Sequence, residues 1–299
     1  MVQDVGAKAV TPPERRRSLL RTLFGGIGLL RESTIGMVGF GLILFWVLVA
    51  LFAPLIAPVS PTATLQPFAP PGTVTASGET LWLGADQLGR DVLSRVIYGS
   101  RTVLFYAPVA TFCAYFIGCI FGLLAGYLGG WVDDLLNRIA DIILAFPVLV
   151  LYVVIIVLIG PSGLNIILAV TFASAPGIMR IVRGLTLDLR NRDYIAAAQT
   201  SGASLPWILF AELLPNARGP LIVDACLRMG YVIITIGVLG FLGLGLPPPT
   251  PDWGSMVAES RAMITFAPWM AVVPAIAISS LVLGFNLLAD GLREISLRD

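Results

Sequence analysis

The chain has 299 residues, of which 57% are hydrophobic and only 12% charged, with a net charge of +1. A soluble domain carries about 25% charged residues, so the composition points to an all-α polytopic membrane protein rather than a large-cored globule. Histidine is absent, which excludes imidazole-dependent chemistry such as Ser-His catalysis, and Cys113, Cys119 and Cys226 sit in or beside apolar runs as small core filler.

Residues 1–34 form a basic tail, with Lys8, Arg15, Arg16, Arg17, Arg21 and Arg31 against Asp4, Glu14 and Glu32. No small-residue cleavage site follows promptly, and the next apolar run is long enough to span, so the segment reads as a tail before an uncleaved anchor. Residues 18–30 fit either a short amphipathic helix on the membrane surface or a disordered electrostatic anchor. Five charge-poor windows then supply six spans. The first is 35–55 and the second lies within 102–132. The window 142–179 is too long for one helix, since about 20 residues suffice to cross. Pro161, Ser162 and Gly163 divide it into a third and a fourth span. The fifth lies in 229–251, or from a turn earlier near Leu221, and the sixth in 262–289.

With the N-terminus inside, fifteen Lys and Arg residues fall on the inner side, against Arg90, Arg95, Arg101 and Arg261 outside. That is a strong positive-inside bias. It places both termini, and the polar stretch 193–220, in the cytoplasm. The outer loop 56–100 opens with a stretch rich in proline and small polar residues, expected to be extended or irregular. It closes with LWLGADQLGRDVLSRVIYGSRT, in which Asp91 and Arg95, four apart, are placed to pair on one helix face. An ion-pair lattice fixing the mouth of the second span is favoured over direct contact with a solute.

Within the second span Ala114, Gly118, Gly122 and Gly126 make a ridge of small residues at four-residue spacing, a helix-packing surface. Asp133, Asp134, Arg138 and Asp141 read as a short, solvated polar turn. Stretch 193–220 begins with Ala196, Ala197 and Ala198, which favour helix and leave a thin face. Gly202 permits a sharp turn, Ser204 is placed to cap, and Pro206 suits a first helical turn. Two short helices meeting at a corner are predicted. Asp224 and Arg228, four apart near the start of the fifth span, fit an interfacial ion pair. Gly237, Gly240, Gly243 and Gly245 fit either a dimer seam or packing inside the chain. The three prolines 247–249 cannot continue a helix, so the chain must leave the membrane stiffly. Trp253 and Trp269 are expected at the outer headgroup level.

Several of these segments carry a resemblance. Ala197, Ala198, Gly202, Leu214 and Pro215 match the coupling-loop pattern of ATP-binding-cassette (ABC) importer permeases, with Ala196 where glutamate is usual and Glu212 where isoleucine is usual. The run from Leu83 to Arg101 is closely similar to a signature of the dipeptide, oligopeptide and nickel group of these permeases. So are GLGLPPPTPDWGSM and the ending NLLADGLR. The resemblance implies a type I importer fold with residues 35–100 as first span and outer loop. It implies a five-helix core over 101–290 with the coupling loop at 193–220, and cytoplasmic tails at 1–34 and 291–299. It further implies a homologous permease partner, two ABC ATPases that dock around Gly202, and an extracytoplasmic solute-binding protein in a bacterial inner membrane.

The only lysine is Lys8 and no P-loop is present, so ATP hydrolysis is expected in other subunits and the chain itself is not expected to be an enzyme. No metal-ligand cluster or cofactor motif appears in the sequence, and membrane lipid but no nucleic acid is expected as a partner. The spans hold few ionisable residues away from their ends, which disfavours a stand-alone secondary transporter, the rival reading. Peptides are the expected solute, with nickel, opines and glycosides as alternatives. The substrate-binding residues cannot be named from the sequence.

Overall fold

A computed structural model describes residues 33–296. Helix α1 (Thr34–Leu51) is capped by Ser33, whose hydroxyl accepts from Gly36 N–H at 3.3 Å. After the short α2 (Ala53–Ile56), a loop reaches α3 (Val92–Leu128). Then come α4 (Gly130–Leu144), α5 (Val148–Ile159), α6 (Gly163–Leu189) and α7 (Asp193–Thr200). A continuous helix α8 (Leu205–Phe241), the short α9 (Trp253–Ser260) and α10 (Trp269–Ser296) complete the chain. Five helices, α1, α3, α6, α8 and α10, are each long and apolar enough to cross a membrane.

The expected third span takes another form. Helices α4 and α5 pass the same length and composition test only together, and they meet at an 86° bend. The break is at Pro147, the N-cap of α5, whose ring excludes the residue before it from a helix. Asp133, Asp134, Arg138 and Asp141 lie on the helix α4 and not on a turn. Asp134, Arg138 and Asp141 are exposed, as expected of a solvated face, and Asp141 pairs with Arg180 there, whereas Asp133 binds Arg183 of α6 through two bonds of 2.5 Å. The divide between the third and fourth spans falls where proline and glycine place it, and Ser162 caps α6 by accepting from Asn165 N–H at 3.2 Å.

The ridge of small residues on α3 packs on α6 within the chain. A Cβ at Gly118, Gly122 or Gly126 would lie 2.7, 2.6 and 2.6 Å from the Cβ atoms of Ile178, Val182 and Thr186. Those partners also recur every four residues, so two matched ridges run side by side. Helices α1 and α10 approach as closely: a Cβ on Gly39 would stand 2.4 Å from Leu288 N. Ser33 donates to Glu294 at 2.8 Å, so the two described ends of the chain adjoin.

The outer loop is folded, not merely extended. It holds a two-residue antiparallel pair, β1 (Thr73–Val74) with β2 (Thr80–Leu81), and buries Ala69, Leu81 and Ala85 together. The predicted pairing of Asp91 with Arg95 does not form. Asp91 is the N-cap of α3 and its carboxylate accepts from Ser94 N–H at 2.8 Å. Arg95 turns to Asp86 at 2.5 Å and to Glu259 of α9 at 2.8 Å. Arg90 binds the same two carboxylates, each at 2.7 Å. The lattice exists, and its acids come from the loop and from α9. Trp253 is likewise not a headgroup anchor: it is fully buried, donates to Val96 O at 2.9 Å and lies against Gly99. Trp269 is half-buried and donates to Ala85 O at 3.3 Å. Helix α8 ends at Phe241, ten residues short of the expected limit, and Gly240 and Gly254 pack α8 against α9 inside the chain.

Candidate functional site

The polar stretch between α6 and the body of α8 forms an elbow. Arg192 N-caps α7, and Ile195, with no exposed surface, pins that helix to the buried cluster of Leu209, Leu213, Leu123 and Val182. Ala196 and Ala197 face outward and Ala198 is half-buried. Helix α7 ends because Gly202 adopts φ +75°. Gly202 N–H donates to Gln199 O and Ala203 N–H to Ala198 O, both at 3.0 Å. This is the pair of bonds by which a helix closes on a left-handed residue, and it satisfies carbonyls that the helix end leaves free. A Cβ on Gly202 would meet nothing within 4 Å, so glycine is needed there for its backbone and not for space.

The second arm departs from the predicted short helix. Ser204 occupies the N-cap and Pro206 the first turn, although the Ser204 hydroxyl makes no capping bond. The helix then continues through a π-helical turn, Ile208–Leu213, into the fifth span. Pro215 is accommodated within it. A proline ring clashes with the carbonyl four residues back, and the wider π turn just before it relieves that crowding. Leu214 and Pro215 therefore lie along α8, where they line a shallow groove with Tyr115 and Cys119 of α3. Ala198, Ala203 and Leu214 touch the same buried cluster.

Two aromatic side chains that the sequence pattern did not single out complete the surface. Trp207 is 56% exposed and Phe210 47%, beside the partly exposed Leu205. They lie on the second arm of the elbow, so it presents an apolar knob on a polar segment. Trp207 Nε1 donates to Glu212 Oε1 at 3.2 Å, which fixes the indole. On the inner side, Gln199 Nε2 donates to the Tyr127 hydroxyl at 2.8 Å and Arg190 Nη1 to Gly126 O at 2.9 Å, tying the elbow to the end of α3. The Tyr194 hydroxyl is buried without a partner among the described residues, and burial pushes its phenol above the ordinary value, with Arg192 opposing and Glu212 adding. No group of three or more potential metal ligands occurs among the described residues.

Known proteins resemble the chain along most of its length. Residues 118–298 match the family described as "Binding-protein-dependent transport system inner membrane component". Residues 29–71 match the "N-terminal TM domain of oligopeptide transport permease C". The dipeptide transport system permease protein DppC of Alkalihalophilus pseudofirmus is 37% identical over 95% of this chain and 92% of its own. The di/tripeptide transport system permease protein DppC of Pseudomonas aeruginosa is 39% identical over 85% and 86%. The glutathione transport system permease protein GsiD of Pectobacterium atrosepticum is 42% identical over 71% of each chain. In fold, a chain of the MetNI methionine ABC transporter in an inward-facing conformation superposes with a TM-score of 0.56 at 20% identity, over 67% of this chain and 96% of that one. With matches of this extent and several membrane-crossing helices, the chain belongs to the bacterial family of multi-pass inner membrane components of binding-protein-dependent transport systems.

Proposed function

We propose that the chain is one of two homologous permease subunits of an ABC importer for di- or oligopeptides or a similar small solute. The observation that carries this reading is the elbow. It is a rigid corner with an exposed apolar knob of Leu205, Trp207 and Phe210, joined without a break to a membrane-crossing helix. An exposed aromatic cluster of this kind on a polar segment suits a protein partner. The partner is an ABC ATPase, one per permease, since this chain lacks a P-loop. Ala197, Ala198 and Gly202 shape the docking corner, and Leu214 and Pro215 set how the second arm enters α8.

Peptide is the solute class because the relatives are named for dipeptide, di/tripeptide and glutathione transport. An extracytoplasmic solute-binding protein delivers it to the outer loop and α9. Both termini are cytoplasmic, a reading supported by the arginine bias and by the adjoining ends at Ser33 and Glu294. Segments 1–34 and 291–299 are then inner tails, 35–100 the first span with the outer loop, and 101–290 the core. ATPase closure pushes α7 and the start of α8, and the bundle exchanges inward- for outward-facing arrangements.

The test is cross-linking in the assembled importer. A cysteine from Trp207→Cys should form a cross-link to the ATPase subunit whose yield changes with bound ATP. Labelling of that cysteine by an impermeant reagent from the outer side would refute the reading.

A further inference from the structure

One side of α8 is polar at membrane depth. Asp224, Arg228, Tyr231 and Thr235 recur at intervals of four, three and four residues, so they share a single helix face. Between Gly219 and Phe241 only Asp224 and Arg228 are charged. Arg228 stands roughly 20 Å along the axis from the end of the helix at Phe241. Ionisable groups at such depth face a bundle interior or a water-filled cavity, because lipid does not solvate them.

The pair is held in a particular way. Asp224 Oδ2 accepts from Arg228 Nε at 2.7 Å and from the Tyr115 hydroxyl of α3. Arg228 Nη1 and Nη2 meet no second carboxylate among the described residues, and the Tyr115 hydroxyl also lies within hydrogen-bonding reach of the guanidinium. Both η nitrogens lie beside Gly177 of α6, where a Cβ would stand 3.5 Å from each, an ordinary contact distance. Arg228 borders a cavity of about 110 Å³, walled by the hydroxyl-bearing Thr111, Tyr152, Ser174, Tyr231 and Thr235 and by three apolar side chains. Hydroxyl-bearing residues from four helices therefore line the space beside a planar fork that pairs with a carboxylate only through Nε. Tyr231 is 69% exposed in this chain, so the cavity opens away from the packed core. Liquid water occupies about 30 Å³ per molecule, so the space holds a carboxylate with a little water and not a whole peptide.

We propose that this cavity is a carboxylate-receiving station on the solute path, in which Arg228 binds the free carboxylate of the passing solute through its η nitrogens. Paired N–H donors match a carboxylate in plane and at the right separation. Asp224 holds the fork by its ε edge, while Tyr115 holds Asp224. The hydroxyls of Ser174 and Tyr231 are placed to donate to the remaining lone pairs, while those of Thr111 and Thr235 already donate to Met229 Sδ and to Tyr231 O. The station rests on the reading that this chain lines an import path, and it deepens that reading by naming the recognised group as the α-carboxylate of a short peptide.

The test uses the complete importer in proteoliposomes, with Cys113, Cys119 and Cys226 replaced by alanine. Cysteines from Tyr231→Cys and Thr235→Cys are challenged with an anionic and a cationic water-soluble thiol reagent. Both positions should react, and a cysteine from Phe116→Cys, on an exposed apolar part of α3, should react far more slowly. Adding Arg228→Gln should lower the anionic-to-cationic rate ratio about tenfold, the worth of one charge-assisted hydrogen bond. Arg228→Lys keeps the charge without the fork and should lower it less. Dialanine should protect the cysteines, dialanine amide should not, and Arg228→Lys should abolish the difference. Unreactive cysteines, a rate ratio indifferent to Arg228→Gln, or equal protection by dialanine and its amide overturns the proposal. Protection by acetate but by neither peptide upholds the station and defeats the peptide reading alone.

Discussion

Replacing Gly202 separates two reasons for a glycine at the elbow. Its φ of +75° lies in the left-handed region, where an L side chain costs roughly 1–2 kcal/mol. Asparagine tolerates that region, and a β-branched residue does not. Space contributes nothing within this chain, because a Cβ would meet no atom within 4 Å. Gly202→Val therefore strains or reopens the two closing bonds, Gly202 to Gln199 and Ala203 to Ala198. A loss of about 2 kcal/mol raises the population of a frayed elbow about thirtyfold, since each 1.4 kcal/mol is tenfold. The assay is uptake per ATP hydrolysed by the assembled importer, with membrane insertion as the control. Gly202→Val should cut that ratio severalfold and leave insertion intact. Gly202→Asn then discriminates. Wild-type coupling in Gly202→Asn means that the backbone turn is what matters, whereas loss in both variants means that a partner closes on the glycine itself. Unchanged coupling in Gly202→Val would refute the role of the elbow.

Four further outcomes follow from the packing and the charges. Arg95→Ala should destabilise the solubilised protein by about 3–5 kcal/mol, because it leaves the buried Asp86 without one of its two arginines; thermal unfolding of the complex reads this. Gly122→Val should cost about 1–3 kcal/mol by overpacking α3 against Val182. Gly41→Ala, where a Cβ meets nothing within 4 Å, should be neutral or slightly stabilising in the same assay. For Asp252, burial pushes the carboxyl above its ordinary value, with backbone N–H groups of Ser255 and Gly254 opposing. The folded state thus holds this proton more tightly than the unfolded state does, and stability falls as pH rises from the unfolded value through the raised folded one. Asp252→Asn keeps a capping oxygen and should be less sensitive to a change from about pH 5 to about pH 8, as followed by melting temperature.

Much of the architecture follows from where charge is absent. Lipid tolerates few ionised groups, so charge-poor windows mark spans whatever the tertiary packing. Boundaries are less legible, because helices extend past the bilayer on caps that hydropathy ignores. Asp91 and Ser94 begin α3 ten residues before the expected start at 102, and a capping Asp followed three residues later by its donor is a signal present in the sequence. Pro147 likewise marked the bend between α4 and α5 within a run that hydropathy alone reads as continuous. Leu214-Pro215 misleads in the opposite direction. A proline normally ends a helix, and no local pattern reveals the π turn that lets α8 continue.

The sites divide along the same physical line. Gly202 is legible because its role is local: a left-handed residue ends α7 whatever lies around it. The ridge on α3 is legible because four-residue spacing places small residues on one face before any partner is known, although the choice of α6 as that partner is tertiary. Trp207, Phe210 and Trp253 show the limit. All three are aromatic residues near helix starts, yet Trp253 is buried against Gly99 while the other two stand exposed. The difference arises from which helices the chain folds beside them, not from anything in their neighbours in sequence. Arg228 is intermediate. Its charge in an apolar span is visible at once, and its pairing with Asp224 follows from a separation of four. That Tyr115 of α3 also holds Asp224, and that the guanidinium lies beside Gly177 of α6, are tertiary facts beyond the reach of sequence reasoning.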